Sequence, residues 1–210
     1  MMKSLIVIDD LLDNPLELRE VALGMNYPES SKPTTYPGRN SETPLLADRF
    51  DKLISEIVGE SLVRAPGVVS GHFRIALEGD TGTANVHIDI AHWTTVLYLT
   101  LPEHCPAGTS GGTHLYRHRP TGSDRAPYDE QELSAMGFAS PEEFMERVLN
   151  ADTNDPEKWE ELCTVPIRFN RLLLFRPQQY HSAGYGFGTS KENGRLVYVN
   201  SYNNADTRRM

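Results

Sequence analysis

From Gly71 to Tyr202 the chain is written in short apolar runs separated by turns, and this texture limits the fold more than any other feature. Gly71-His-Phe-Arg-Ile-Ala-Leu77, Trp93-Thr-Thr-Val-Leu-Tyr-Leu-Thr100, Leu172-Leu-Leu-Phe175 and Arg195-Leu-Val-Tyr-Val-Asn-Ser-Tyr202 are rich in β-branched and aromatic residues and too short for helices. Glycine and acidic turns such as Gly79-Asp-Thr-Gly82 lie between them. Short strands following one another through turns predict an antiparallel barrel or jelly roll.

Helices flank this β region. Ser4 to Asp9 reads as a short buried strand. Asp13-Asn14-Pro15 then supplies an N-cap and a proline at the first helical position of a helix with apolar residues at Leu18, Val21, Ala22 and Met25. Leu45 to Gly59 predicts a second helix with Leu46, Phe50, Leu53, Ile54 and Ile57 as its buried stripe. Between them, Tyr27-Pro, Lys32-Pro, Tyr36-Pro-Gly and Glu42-Thr-Pro hold too many breakers for regular structure, so this stretch either covers a cavity or wraps the surface. Gly108-Thr-Ser-Gly-Gly112 is a flexible turn into a strand. An insert from about Arg117 to Thr164 differs in composition: Ser140-Pro-Glu-Glu opens a helix through Val148, and Asp155-Pro-Glu-Lys-Trp-Glu-Glu-Leu162 repeats the pattern. It is a lid or substrate-selecting element, or surface decoration. The expectation is a single domain over residues 1–210, mainly β with flanking helices (α+β), whose polar tail runs from Asn203 to Met210.

Composition excludes several function classes. A net charge of −9 argues against a nucleic-acid surface, which needs clustered Lys and Arg. No apolar run approaches the roughly 20 residues that span a bilayer, so no membrane partner is expected. The opening apolar segment is too short for a secretory signal. Cys105 and Cys163 carry no sign of pairing, which fits a reducing cytoplasm. Tyr116-Arg-His-Arg119 with Arg125 is a local basic cluster, either an anion contact or a solvated loop balanced by nearby acids.

Chemistry concentrates at Val86-His87-Ile88-Asp89-Ile90. At strand spacing His87 and Asp89 project to one face, while Val86, Ile88 and Ile90 pack behind. His181, after the apolar run Leu172 to Phe175, is the best third donor. Two imidazoles and one carboxylate on one face of a metal leave the opposite positions open, as in non-haem Fe(II) sites. Among seven histidines, a chance His-x-Asp and satisfied core histidines are the competing explanation.

The order of these parts resembles the 2-oxoglutarate and Fe(II)-dependent dioxygenases, in particular their prolyl 4-hydroxylase-like branch. The resemblance rests on His87-Ile-Asp89, Tyr98-Leu99, Gly111-Gly112, Leu172 to Phe175, His181 and Arg195, and on the opening Ile6-Val-Ile-Asp-Asp-Leu-Leu12. It covers nearly all of the chain outside the insert and looks closest to a bacterial subgroup with Phe169-Asn-Arg-Leu-Leu-Leu-Phe175 and Phe187-Gly188. It implies a double-stranded β-helix (jelly roll), Fe(II) held by His87, Asp89 and His181, O2 as oxidant and 2-oxoglutarate as cosubstrate. Arg195 would take the far carboxylate of 2-oxoglutarate, and Tyr98 would line that pocket or serve as a core aromatic. The implied reaction is hydroxylation of a small molecule, amino acid or peptide side chain, with 2-oxoglutarate converted to succinate and CO2. The chain departs from the family pattern at Glu78-Gly79, at Val197 and in a longer His181 to Arg195 spacing containing a hairpin at Gly188 to Gly194.

Three alternatives stay open from the residues alone. Arg171 and Arg176 rival Arg195 as the carboxylate partner. A cupin-like metal enzyme would keep the three donors and leave Arg195 idle. A non-catalytic jelly-roll binding module would bind no divalent metal. His92, His114 and His118 read as structural or exposed histidines.

Overall fold

The computed structural model describes residues 3–29, 34–105 and 111–206. Lys32-Pro33, the Gly108 to Ser110 part of the glycine turn and the last four residues of the tail lie outside them. In chain order the elements are β1 (Leu5–Ile8), α1 (Pro15–Gly24), β2 (Arg39–Asn40), α2 (Asp48–Val58), β3 (Leu62–Arg64), β4 (His72–Ala76) and β5 (Trp93–Tyr98). β6 (Thr113–His118), α3 (Glu130–Ala135), α4 (Pro141–Phe144), β7 (Trp159–Val165), β8 (Leu172–Phe175), β9 (His181–Ala183) and β10 (Arg195–Asn204) follow.

The strands form two antiparallel sheets. The larger runs β1-β8-β5-β10-β4-β2, with β3 also on β10, and the smaller runs β7-β6-β9. Strand alternation divides the side chains of the large sheet between its two faces. Trp93, Leu97, Leu172, Leu174, Leu196, Tyr198 and Tyr202 bury one face beneath Ala22 of α1 and Phe50, Ile54 and Val58 of α2. From the other face Val96, Tyr98, Leu173, Phe175 and Val197 meet Val165 of β7, so the sheets pack together there and enclose a cavity beside this contact. Because both faces of β5 are covered, Trp93–Tyr98 is buried throughout, as an uninterrupted apolar and β-branched run predicts.

Several expectations change in detail. Asn14 stands at the N-cap of α1 without a side-chain cap bond, and Val21, expected inside, is exposed. Arg19 is buried instead, its guanidinium donating to the carbonyls of Leu99 (3.4 Å) and Glu192 (2.6 Å). α2 begins three residues beyond Leu45, which leaves Leu46 exposed, and ends at Gly59, whose φ of +75° suits glycine. The expected helix at Asp155 is one turn, Pro156–Lys158, capped by the Asp155 side chain and followed at once by strand β7. Pairing with β6 captured residues whose local pattern favoured a helix. Gly188 to Gly194 is a compact turn and not a hairpin, since β9 pairs with β6 while β10 pairs with β3, β4 and β5. Among the described residues no helix is long and apolar enough to cross a membrane.

The stretch between β6 and β7 has its own apolar cluster. Leu133, Phe138, Phe144, Val148 and Leu149 pack with Trp159, Tyr180 and Val86. Its residue Thr153 accepts from Val86 N through its carbonyl (3.2 Å) and donates its hydroxyl to Val86 O (2.8 Å). This helical stretch buttresses the segment carrying His87, and no described residue between 119 and 158 lines the cavity. In the basic cluster Arg117 pairs with Glu160 (3.3 Å) and Arg125 with Glu132 (2.7 Å), the His118 ring meets Asp152 (2.9 Å), and Arg119 donates to Trp159 O (3.1 Å).

Candidate metal centre

His87 lies in an extended segment between β4 and β5 that makes a single bridge and no continuous ladder. Its backbone exchanges two hydrogen bonds with His181 on β9, N to O at 2.9 Å and O to N at 3.0 Å, and Asp89 N donates to Pro177 O at 3.0 Å. Pleating through this bridge turns His87 and Asp89 to the same side, as the i, i+2 spacing requires. Of the residues expected behind them, Val86 is buried and Ile88 half-buried. Ile90 is 85% exposed and lines the cavity mouth, because pairing ends before it.

One donor atom each from His87, Asp89 and His181 lie within 4.8 Å of one another, the His181 and Asp89 atoms Nε2 and Oδ2 being 3.4 Å apart. The imidazole centroids are 4.3 Å apart, and Phe175 lies edge-on to His181 at 4.7 Å. Each Nδ1 has a backbone carbonyl two residues earlier: Asn85 O at 2.9 Å for His87 and Gln179 O at 2.8 Å for His181. A carbonyl can only accept, so each Nδ1 carries a proton and each Nε2 is the ring nitrogen left to face the cluster. Burial, reinforced by the neighbouring His181 ring, pushes the His87 imidazole down to about 3 and keeps it neutral at neutral pH. Burial acts to raise the Asp89 carboxyl. Hydrogen bonds from the facing His181 ring and the Tyr36 hydroxyl outweigh it and hold Asp89 well below the usual carboxylate range. Two imidazoles whose Nε2 atoms face one ionised carboxylate form a donor set that fits a divalent metal.

The cavity beside this cluster has a volume of about 430 Å3 and is walled by Phe175, Val96, Val197 and Val199 of the large sheet. Arg195, 4% exposed, enters it from the start of β10. Its guanidinium donates to Gly111 O (2.7 Å) and Gly112 O (3.4 Å), and no carboxylate of the described residues forms an ion pair with it. Its rivals are engaged elsewhere: Arg171 with Asp9 (2.6 Å) and Arg176 with Glu60 (2.5 Å) above the Trp93 ring. Tyr98 is fully buried under Arg195, 5.9 Å from its guanidinium carbon. The Tyr98 hydroxyl is 2.8 Å from Thr113 Oγ1, and Thr113 lines the cavity in its place.

Two further residues of this site were not legible in the sequence. Tyr36, from the proline-rich loop, donates its hydroxyl to Asp89 Oδ1 (2.8 Å) and packs its ring against His87, tilted by 33° with centroids 4.1 Å apart. Arg74 of β4 also lines the cavity, and burial, with the nearby Arg195 charge, lowers its guanidinium to about 10. The available signal was a Tyr-Pro-Gly in a loop near a predicted cavity and an arginine at an inward position of a strand.

Known proteins give the same shape. Residues 80–199 match the sequence family described as "Family of unknown function (DUF6445)". No curated protein matches the sequence. Among solved structures, SnoK, a non-haem α-ketoglutarate-dependent carbocyclase from nogalamycin biosynthesis, is 16% identical with a TM-score of 0.56 over 97% of this chain and 80% of its own. HygX from Streptomyces hygroscopicus, solved with nickel, 2-oxoglutarate and hygromycin B bound, is 12% identical with a TM-score of 0.53 over 96% and 83%. SnoN, an epimerase from nogalamycin biosynthesis, is 16% identical with a TM-score of 0.50 over 96% and 79%. At these identities the likeness is one of fold.

Proposed function

The chain belongs to the family of unknown function DUF6445, and for it we propose a non-haem Fe(II)- and 2-oxoglutarate-dependent oxygenase, with the two sheets as the halves of a double-stranded β-helix. The observation that carries the reading is one cavity lined by two chemically distinct groups: the His87, Asp89, His181 donor set, and a buried arginine, Arg195, without an acidic partner among the described residues. The 2-oxoglutarate-dependent enzymes of the same fold support it, and the order of motifs favours the prolyl 4-hydroxylase-like branch.

In this reading His87 Nε2, Asp89 and His181 Nε2 hold the metal. Arg195 receives the distal carboxylate of 2-oxoglutarate, where a planar guanidinium makes charge-assisted hydrogen bonds. Gly111 O and Gly112 O fix its orientation, and Tyr98 supports it from below. Fe(II) and 2-oxoglutarate, once bound, supply the oxidising chemistry, in which O2 converts 2-oxoglutarate to succinate and CO2 and delivers one oxygen atom to the substrate. Phe175, Val96, Val197 and Ile88 keep water from the reacting face. Val69 and Ile90, exposed yet lining the cavity, form its mouth, where a small molecule or peptide side chain enters. Cys105 and Cys163 are free thiols, in keeping with a reducing cytoplasm.

Calorimetric titration with 2-oxoglutarate, with and without redox-inert Mn(II), tests this. Binding that requires Mn(II) supports the oxygenase. Metal binding with no 2-oxoglutarate uptake would leave a metal enzyme of another class, and no metal binding would remove the enzymatic reading.

A further inference from the structure

Tyr36 reaches the donor cluster from a loop that is held on both sides. Ahead of it, Thr34 O and Thr35 O accept from the amides of Thr83 and Ala84, on the approach to His87. Behind it, the buried Arg74 guanidinium gathers the loop: Nε donates to Pro37 O (2.9 Å), one terminal nitrogen to Asn40 Oδ1 (2.7 Å), the other to Tyr36 O (2.6 Å) and Gly38 O (3.2 Å). Gly38 lies at φ +89° and so close to the sheet that a Cβ would stand 2.1 Å from Ile75 O, so no other residue fits this turn. A loop this constrained does more than cover a surface: it delivers one hydroxyl to one carboxylate oxygen.

The two oxygens of Asp89 thereby become unequal. Oδ1 accepts from Tyr36, while Oδ2 faces His181 Nε2 at 3.4 Å. We propose that Tyr36 is a positioning residue that reserves Oδ1, so that Asp89 offers the metal a single oxygen, and that Arg74 holds Tyr36 in place. This rests on the metal-centre reading above and adds to it a reason why open coordination positions persist, since a carboxylate free to chelate through both oxygens would occupy one of them. Partners of this kind around metal ligands set affinity and geometry together.

Co(II) titration of the whole protein, followed by visible absorption, tests the inference without turnover. Tyr36→Phe keeps the ring on His87 and removes only the hydroxyl. The expected result is an unchanged apo melting temperature, a Co(II) affinity lowered about 10- to 100-fold and an altered Co(II) spectrum. Arg74→Met is expected to weaken Co(II) binding in the same direction and to add little in the Tyr36→Phe background, because its effect passes through Tyr36. Wild-type affinity and spectrum in Tyr36→Phe, with binding abolished in His181→Ala, would overturn this inference alone. Failure of the wild-type protein to bind Co(II) would overturn the metal centre and this inference together.

Discussion

His87 and His181 trade backbone hydrogen bonds, at 2.9 and 3.0 Å, across a bridge that sets their imidazole centroids 4.3 Å apart. The rings are therefore placed by main chain, and the bridge survives loss of either side chain. In the apo protein His181→Ala is expected to shift the melting temperature only slightly. Saturation with Mn(II) at about 100 times its dissociation constant is expected to stabilise the wild type by about 2.7 kcal/mol and His181→Ala not at all. Differential scanning fluorimetry with and without Mn(II) checks both, and equal stabilisation of the two proteins would contradict the placement of the metal.

Arg195 is a buried cation whose hydrogen bonds among the described residues go to carbonyl oxygens, and burial pushes its guanidinium below its ordinary value. A group in that position costs stability until an anion arrives. Arg195→Met is expected to leave the apo protein as stable as the wild type or more so, while weakening 2-oxoglutarate binding by about 2 kcal/mol or more, roughly 30-fold. Denaturant titration and calorimetry on the same variant read the two effects separately. A destabilised variant with intact 2-oxoglutarate affinity would mark Arg195 as structural.

Asn170 stands at φ +62° before β8, and its side chain clamps Leu12, accepting from Leu12 N (3.0 Å) and donating to Leu12 O (2.9 Å). Alanine there would lose both bonds and keep the strained backbone. Asn170→Ala is expected to cost about 2–3 kcal/mol in urea unfolding, and Asn170→Gly about 1 kcal/mol less. An alanine variant within about 0.5 kcal/mol of wild type would contradict the clamp.

One acid-sensitive contact lies in the stretch between β6 and β7. Arg125 grips Glu132 through both terminal nitrogens, at 2.7 and 2.9 Å, and the Tyr128 amide adds a third bond, so the carboxyl falls to about 2. An unfolded glutamate titrates near ~4.3, so this contact stabilises fully above that pH and is lost as pH falls toward the folded value. The difference in urea midpoint between wild type and Glu132→Gln is expected to be constant from neutral pH down to ~5 and to shrink below it. A difference that grows on acidification would reverse the assignment.

What could be read ahead of the structure follows from local rules. The inward face of β10 and the His87, Asp89 pairing obey strand alternation, and His181 follows an apolar strand as its sequence context suggests. What could not be read depends on contacts made across the chain. β7 took a helix-like segment because β6 offered a ladder. Val86 needed the buttress between β6 and β7, where no periodicity announces which element it will support. Tyr36 reaches Asp89 through a loop whose path is set by Arg74, and no pattern within Tyr27 to Pro44 encodes that destination.

One spectrum reaches all three donors and the arginine at once. Fe(II) and then 2-oxoglutarate are added to the apo protein without oxygen, and the weak visible charge-transfer band of the iron-bound 2-oxo acid is recorded. The band should form in the wild type, vanish in His181→Ala and weaken in Arg195→Met. A wild-type protein that takes up Fe(II) and shows no band at saturating 2-oxoglutarate would contradict the oxygenase reading.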